Sequence, residues 1–145
     1  MAEAARHLLG ALLVSTLDEQ VRVGRIVEVE AYAGPDDAAS HARAGLTLRN
    51  GPMFGPPGHA YVYLVFGMHE CLNVVTGPPI RHEPQAVLLR AGEPVEGIQA
   101  MMARRRASRV EDVASGPGKL TRAMGITRAQ NGADVTKGAL RFERD

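Results

Sequence analysis

The chain has 145 residues, 45% of them apolar and 23% charged, the balance of one globular domain and not of a disordered tail. Its formal net charge of only +1 excludes the strongly basic character that marks many nucleic-acid binders. The lone Cys71 excludes an intramolecular disulfide and points to a reducing cytoplasm, no apolar run approaches the roughly 18–20 residues of a membrane span, and Met1 to His7 lacks the basic start and apolar stretch of a signal peptide.

In chain order, residues 3–9 predict a short amphipathic helix with Ala5, Leu8 and Leu9 at helical spacing. Leu12 to Leu17 and Val21 to Ala31 predict two strands around an Asp18-Glu19-Gln20 turn. Gly34 to Gly58 is rich in Gly, Pro and small polar residues, and is too long for a simple connection, a length that usually marks a functional loop. Tyr61 to Val65 and Cys71 to Thr76 predict a second hairpin with Phe66-Gly67-Met68 near its tip. A strand follows at Ala86 to Ala91, then a helix over Glu93 to Arg106 with Val95, Ile98, Met101 and Met102 on one face. A further helix is expected from Pro117, after a Ser115-Gly116-Pro117 turn, and a last strand at Ala139 to Phe142. All but two of the 17 basic residues are arginine, the exceptions being Lys119 and Lys137. Arginine suits forked contacts to phosphate, and genomic base composition is the plainer explanation. The cluster Arg104, Arg105, Arg106 and Arg109 is either a solvated helix face or a phosphate-facing surface.

Two stretches carry chemistry. In Arg25-Ile26-Val27-Glu28-Val29-Glu30-Ala31-Tyr32, strand alternation puts Glu28, Glu30 and Tyr32 on one face and turns Val27 and Val29 toward the core. Like charges held this close raise the proton affinity of at least one carboxylate, which suits a general base; an exposed strand face paired with arginines fits the same letters. The second stretch runs from Met53 to Asn73. Of three tyrosines and three phenylalanines, Phe54, Tyr61, Tyr63 and Phe66 fall within it. Tyr61 and Tyr63 share a face, whereas Phe66 sits at the expected turn, where an exposed ring suits a wedge that enters a base stack; the alternative is a tip packed on the 34–58 loop. His69 and Cys71 could share a strand face, but no second ligand pair has zinc-like spacing, so no metal is expected. Neither a dinucleotide nor a phosphate-loop glycine pattern occurs, nor a nucleophile-elbow serine.

Together these stretches resemble the alkyladenine (3-methyladenine) DNA glycosylase family. The resemblance runs from Arg6 to about Ile126 through Ala5-Arg6-His7-Leu8-Leu9-Gly10, the Glu28-to-Tyr32 strand, Ser40-His41-Ala42, Arg49-Asn50-Gly51-Pro52-Met53-Phe54, the aromatic hairpin to Asn73, Ala86 to Ala91 with Glu93-Pro94, and Ser115-Gly116-Pro117-Gly118-Lys119-Leu120. It implies a single α+β domain with a curved antiparallel sheet, flanking short helices and a protruding hairpin that inserts into DNA. It also implies a cofactor-free enzyme of base excision repair that flips and hydrolyses out alkylated or deaminated purines. Glu30 matches the catalytic carboxylate, and Tyr32, His41 and Tyr63 the residues that sandwich the flipped base. Asn73 matches the pocket-floor residue that disfavours guanine. Phe66 matches the minor-groove wedge, normally a tyrosine, and Arg90 a residue near the flipped nucleotide's phosphate; Met68 and Lys119 join the DNA-binding set.

The chemistry agrees with these roles. A cationic base gains about 0.5–2 kcal/mol from stacking on tyrosine faces and is already a good leaving group, so one carboxylate suffices to activate water. The two lysines lie far along the chain from the pocket residues, so no Schiff-base nucleophile is expected and the enzyme is monofunctional. The partner is double-stranded DNA containing a damaged purine, met by a monomer and without a membrane. A catalytically silent DNA-binding remnant and a small-nucleoside hydrolase are the competing readings. Family members continue several dozen residues beyond the equivalent of Asp145, so a domain of residues 1–145 is expected to lack C-terminal strands and to leave a sheet edge unpaired.

Overall fold

A computed structural model describes residues 2–32, 51–77 and 85–145. Six strands form one curled antiparallel sheet: β1 (Leu12–Ser15), β2 (Arg22–Tyr32), β3 (Ala60–Val65), β4 (His69–Val75), β5 (Ala86–Glu96) and β6 (Leu140–Glu143), in the spatial order β3-β4-β5-β2-β1-β6. Among the described residues three short helices accompany it, α1 (Ala2–Leu8), α2 (Ile98–Arg105) and α3 (Pro117–Met124).

Alternation along the strands divides the buried residues into two layers. Leu13, Ile26, Val62, Leu72, Val74 and Leu89 point to one side of the sheet, where Met101 of α2 and Leu120, Ala123 and Met124 of α3 close over them. Helix α3 can do this because its buried residues recur at three- and four-residue intervals. Pro117 sits at its first turn, where the missing N–H costs nothing, and left-handed Gly125 ends it, with Ile126 N–H reaching back to the Thr121 carbonyl at 2.9 Å. The opposite side of the sheet carries Tyr61, Tyr63, Cys71, Val75, Ala86 and Leu88, covered in part by Met53 and Phe54 of a 3-10 turn at Gly51–Phe54.

Two expectations from the sequence are corrected. The helix expected from Glu93 starts only at Ile98, because β5 runs on to Glu96 and continues the ladder with β2: Arg25 lies opposite Glu93, Gly24 opposite Pro94 and Val23 opposite Glu96. Pro94, which cannot donate to a ladder, falls next to the register shift between Val23 and Gly24. Val95, counted on the helix's apolar face, is 41% exposed. Val27, expected in the core, is 50% exposed. The register shifts between Ile26 and Glu28 and between Glu28 and Val29 form a β-bulge that takes it out of the ladder. Val29 packs against the helix-covered layer as expected.

The change from β5 to α2 depends on Gly97, at φ +73. A Cβ there would lie 2.1 Å from the Val21 carbonyl oxygen and 3.1 Å from Arg22 Cα. Gly97→Ala is therefore expected to lower stability by at least about 1–3 kcal/mol, against about 0.5 kcal/mol or less for an ordinary surface substitution; equilibrium urea unfolding measures the difference.

Candidate active site

The sheet face that the helices leave uncovered collects most of the site residues read from the sequence. Cross-strand register builds one row of it. Glu30 on β2 lies opposite Leu88 on β5, Leu88 opposite Asn73 on β4, and Asn73 opposite Tyr61 on β3. In the adjoining positions Tyr32 faces Ala86, and Tyr63 faces Cys71. Because strand side chains alternate with period two, these residues share one side without help from any loop.

The Glu30 side chain is 43% exposed, so it stands at the surface of the cluster and not within the packed layer. Its Oε2 accepts a hydrogen bond from Arg90 Nη1 at 2.8 Å, while Arg90 Nε donates to Glu28 Oε1 at 3.0 Å. One guanidinium thus stands between both carboxylates, and the mutual repulsion that the sequence implied is met by a positive charge. Arg90 is itself held above its ordinary range, first by the hydrogen bond to Glu28 and then by the charges of Glu30 and Glu28.

Burial pushes the Tyr32 hydroxyl up to about 12, with the Glu30 charge and hydrogen-bond acceptor adding to it and Arg90 opposing. Tyr63 is raised too, mainly by burial and then by Cys71, Tyr32 and Tyr61. Burial likewise raises the Cys71 thiol, against the pull of Tyr63 and Arg90. Both phenols, protonated near neutrality in any case, stay so further into alkali, with hydroxyls able to donate. Tyr61 and Tyr63 rings sit 5.3 Å apart at 40°, within the range of tilted aromatic pairs. Asn73 is buried and its Nδ2 donates to the Tyr61 carbonyl at 3.2 Å, which fixes which end of the amide points onward.

The hairpin tip is open. Phe66 is 90% exposed with φ +53, and Met68 is 71% exposed. Between the tip and the start of α3 lies a cleft of ≈ 380 Å³ whose lining includes Phe66, Cys71, Arg105, Lys119 and Arg122. Cys71 joins this cleft to the Tyr63 cluster. Lys119 Nζ also reaches Ser115 Oγ at 3.4 Å, bracing the entry to α3.

The structure thus brings together Glu30, Tyr32, Tyr63, Asn73 and Arg90, with Phe66, Met68 and Lys119 around the neighbouring hairpin. His41 lies outside the described residues. Glu28, placed beside Glu30 from the sequence without a role, and Cys71, not assigned from the sequence, also belong to the cluster; the hairpin register, which pairs Cys71 with Tyr63 as it pairs Asn73 with Tyr61, was the signal for Cys71. The arginine cluster is largely occupied within the chain: Arg104 bonds Asp18 and the Arg122 carbonyl, Arg105 the Val113 and Asp112 carbonyls, and Arg109 pairs with Glu111.

A curled antiparallel sheet domain that keeps its acid, phenols and amide on the side opposite the helices is the class these elements define. Residues 1–145 match the family model described as methylpurine-DNA glycosylase, and the chain belongs to that family. Among its relatives are proteins named "Putative 3-methyladenine DNA glycosylase" from Methanocella arvoryzae (56% identical, covering 92% of this chain and 66% of the relative), Methanoculleus marisnigri (54%, covering 94% and 69%) and Bacillus cereus (47%, covering 97% and 71%). The chain thus spans about two thirds of the length of these relatives.

Near-ultraviolet absorbance titration tests the electrostatics of the cluster directly. The Tyr32 phenolate, isolated by comparison with Tyr32→Phe, is expected to form near pH 12. In Glu30→Gln the transition moves toward the ordinary value without reaching it, because burial is the larger cause. An unchanged midpoint would mean that the carboxylate does not act on this hydroxyl.

Proposed function

We propose that this chain is a monofunctional DNA glycosylase that turns an alkylated purine out of duplex DNA and hydrolyses its glycosidic bond; that its relatives are named "Putative 3-methyladenine DNA glycosylase" supports the glycosylase part of this reading. The observation that carries this reading is the half-exposed Glu30 carboxylate beside the Tyr32 hydroxyl, held at one oxygen by Arg90.

As the bond between the purine nitrogen and the sugar C1′ breaks, its electron pair leaves with the base and the sugar becomes positively charged. Glu30 offsets that charge and takes the proton of the water that attacks C1′. A base already cationic from alkylation departs neutral, so no second acid is required for it. Tyr32 and Tyr63, neutral phenols near pH 7, offer electron-rich faces to such a base, and the resemblance assigns His41 to the same sandwich. Asn73, oriented by its bond to Tyr61, reads the purine edge at the pocket floor.

Phe66 and Met68 serve as the wedge that fills the vacated stack, where a left-handed turn projects the ring clear of the sheet. Lys119 and Arg122, which line the cleft behind that tip, face the backbone phosphates. Arg90 Nη2, which makes neither of the two carboxylate bonds, is the atom that reaches the flipped nucleotide's phosphate. Lys119 braces Ser115 and stands on α3 rather than beside Glu30, which fits hydrolysis by water and not attack by an amine.

Incubation with a duplex carrying one alkylated purine, followed by alkali and a gel, tests the proposal. Wild-type chain should give a break only after alkali. Glu30→Gln should slow base release by about 10²–10⁴-fold while retaining binding; release at the wild-type rate would remove Glu30 from the chemistry. Phe66→Ala should leave the fold intact, because the ring is 90% exposed, and should weaken binding to the lesion duplex by about 1–3 kcal/mol in a fluorescence-anisotropy titration.

A further inference from the structure

Glu28 has no part in the chemistry described so far, yet its carboxylate shares a guanidinium with Glu30. We propose that Glu28 is a positioning residue for base excision, acting on Glu30 through Arg90; the inference rests on the reading of Glu30 as the base.

Three observations carry it. The first is the division of Arg90's donors: Nε goes to Glu28 Oε1 at 3.0 Å and Nη1 to Glu30 Oε2 at 2.8 Å. A guanidinium is a rigid planar fork whose strongest mode is a two-pronged grip on a single carboxylate. Drawn off by Glu28, Arg90 gives Glu30 one hydrogen bond and leaves lone pairs of that carboxylate for water. The second is the bulge, which lies at Glu28 itself, with register shifts on both sides of it. A bulge re-aims side chains on one strand relative to the next, and here Glu28 reaches the same guanidinium as Glu30 although Val27 has left the ladder. The third is exposure. Arg90 is 38% exposed and Glu28 58% exposed, so the pair adds little to the stability of the fold. Its consequence falls on where Arg90 points: a long, half-exposed side chain tethered at two nitrogens keeps one orientation of its plane, and with it one orientation of the Glu30 carboxylate.

Removing the Glu28 carboxylate should untether Nε and let the guanidinium turn until Nη1 and Nη2 both grip Glu30, tying up the oxygen that must accept a proton from water. Single-turnover base release from a duplex with one alkylated purine is measured for the wild type, Glu28→Ala, which keeps no acceptor for Nε, Arg90→Met and the double variant. Affinity is measured separately on a duplex with a stable abasic-site analogue, and folding by thermal unfolding. Glu28→Ala is expected to slow release by about tenfold with affinity and melting temperature unchanged. In the Arg90→Met background it should add no further loss, because its only route to Glu30 is gone. Release by Glu28→Ala at the wild-type rate, losses that multiply in the double variant, or a loss wholly in affinity would each overturn the proposal. A wild-type chain that releases no base would instead overturn the reading of Glu30, and this inference with it.

Discussion

The pairing of β2 with β5 is the constraint on which the other features rest. Each strand runs eleven residues, and their ladder sets the acids of one against the arginine of the other. In an unbroken antiparallel pair, the residues opposite Glu28 and Glu30 would be fixed by a single register. Here the register shifts on both sides of Glu28, and one guanidinium can serve two carboxylates. The shift costs a buried valine, since Val27 becomes half exposed. A sequence selected for stability alone would have little reason to keep that arrangement.

The two sides of the sheet show the same trade. The helix-covered side is mostly aliphatic residues and methionine, which need no partners, with Ser15, Arg22 and Thr121 as polar residues buried beside the helices. The other side takes three phenols, a thiol and an amide into or against a buried layer, where each polar atom is a liability unless it finds a hydrogen bond. Asn73 finds the Tyr61 carbonyl, Tyr32 finds Glu30, and Tyr63 finds Cys71. Satisfied in this way, the polar groups hold the rings in place, and rigid rings lose little freedom when a flat ligand stacks on them.

Local pattern made a large part of this legible. Period-two alternation put Glu28, Glu30 and Tyr32 on one strand face and Tyr61 and Tyr63 on another, the resemblance joined Asn73 to them, and the expected turn placed Phe66 at a tip. Val27 was misplaced because a bulge is a property of two strands together and leaves no mark in the letters of one. The extension of β5 was missed for a related reason: Val95, Ile98, Met101 and Met102 fit a helix, but the unpaired start of β2 competes for the same residues, and long-range pairing prevailed up to Gly97. Glu28 was legible as a carboxylate near Glu30 but not as a partner of Arg90, which lies sixty-two positions away.

Charge gives the last step. A net charge of +1 supplies little general attraction to a polyanion, and the run Arg104 to Arg109, the most basic stretch in the sequence, is bound largely to carbonyls and carboxylates of its own chain. These arginines bind α2 to α3, to the segment between the two helices and to Asp18. Affinity for DNA must then come from fewer charges in better positions. Lys119 and Arg122 line the cleft that Phe66 borders, so the backbone contact and the insertion proposed above fall on the same flank, and Cys71 ties that flank to the phenol cluster. Under the proposed function, such a surface would hold undamaged duplex weakly and gain on it where a base leaves the stack easily. Damage weakens pairing and stacking, so in that reading much of the selection of substrate is made by the DNA before any residue reads the base.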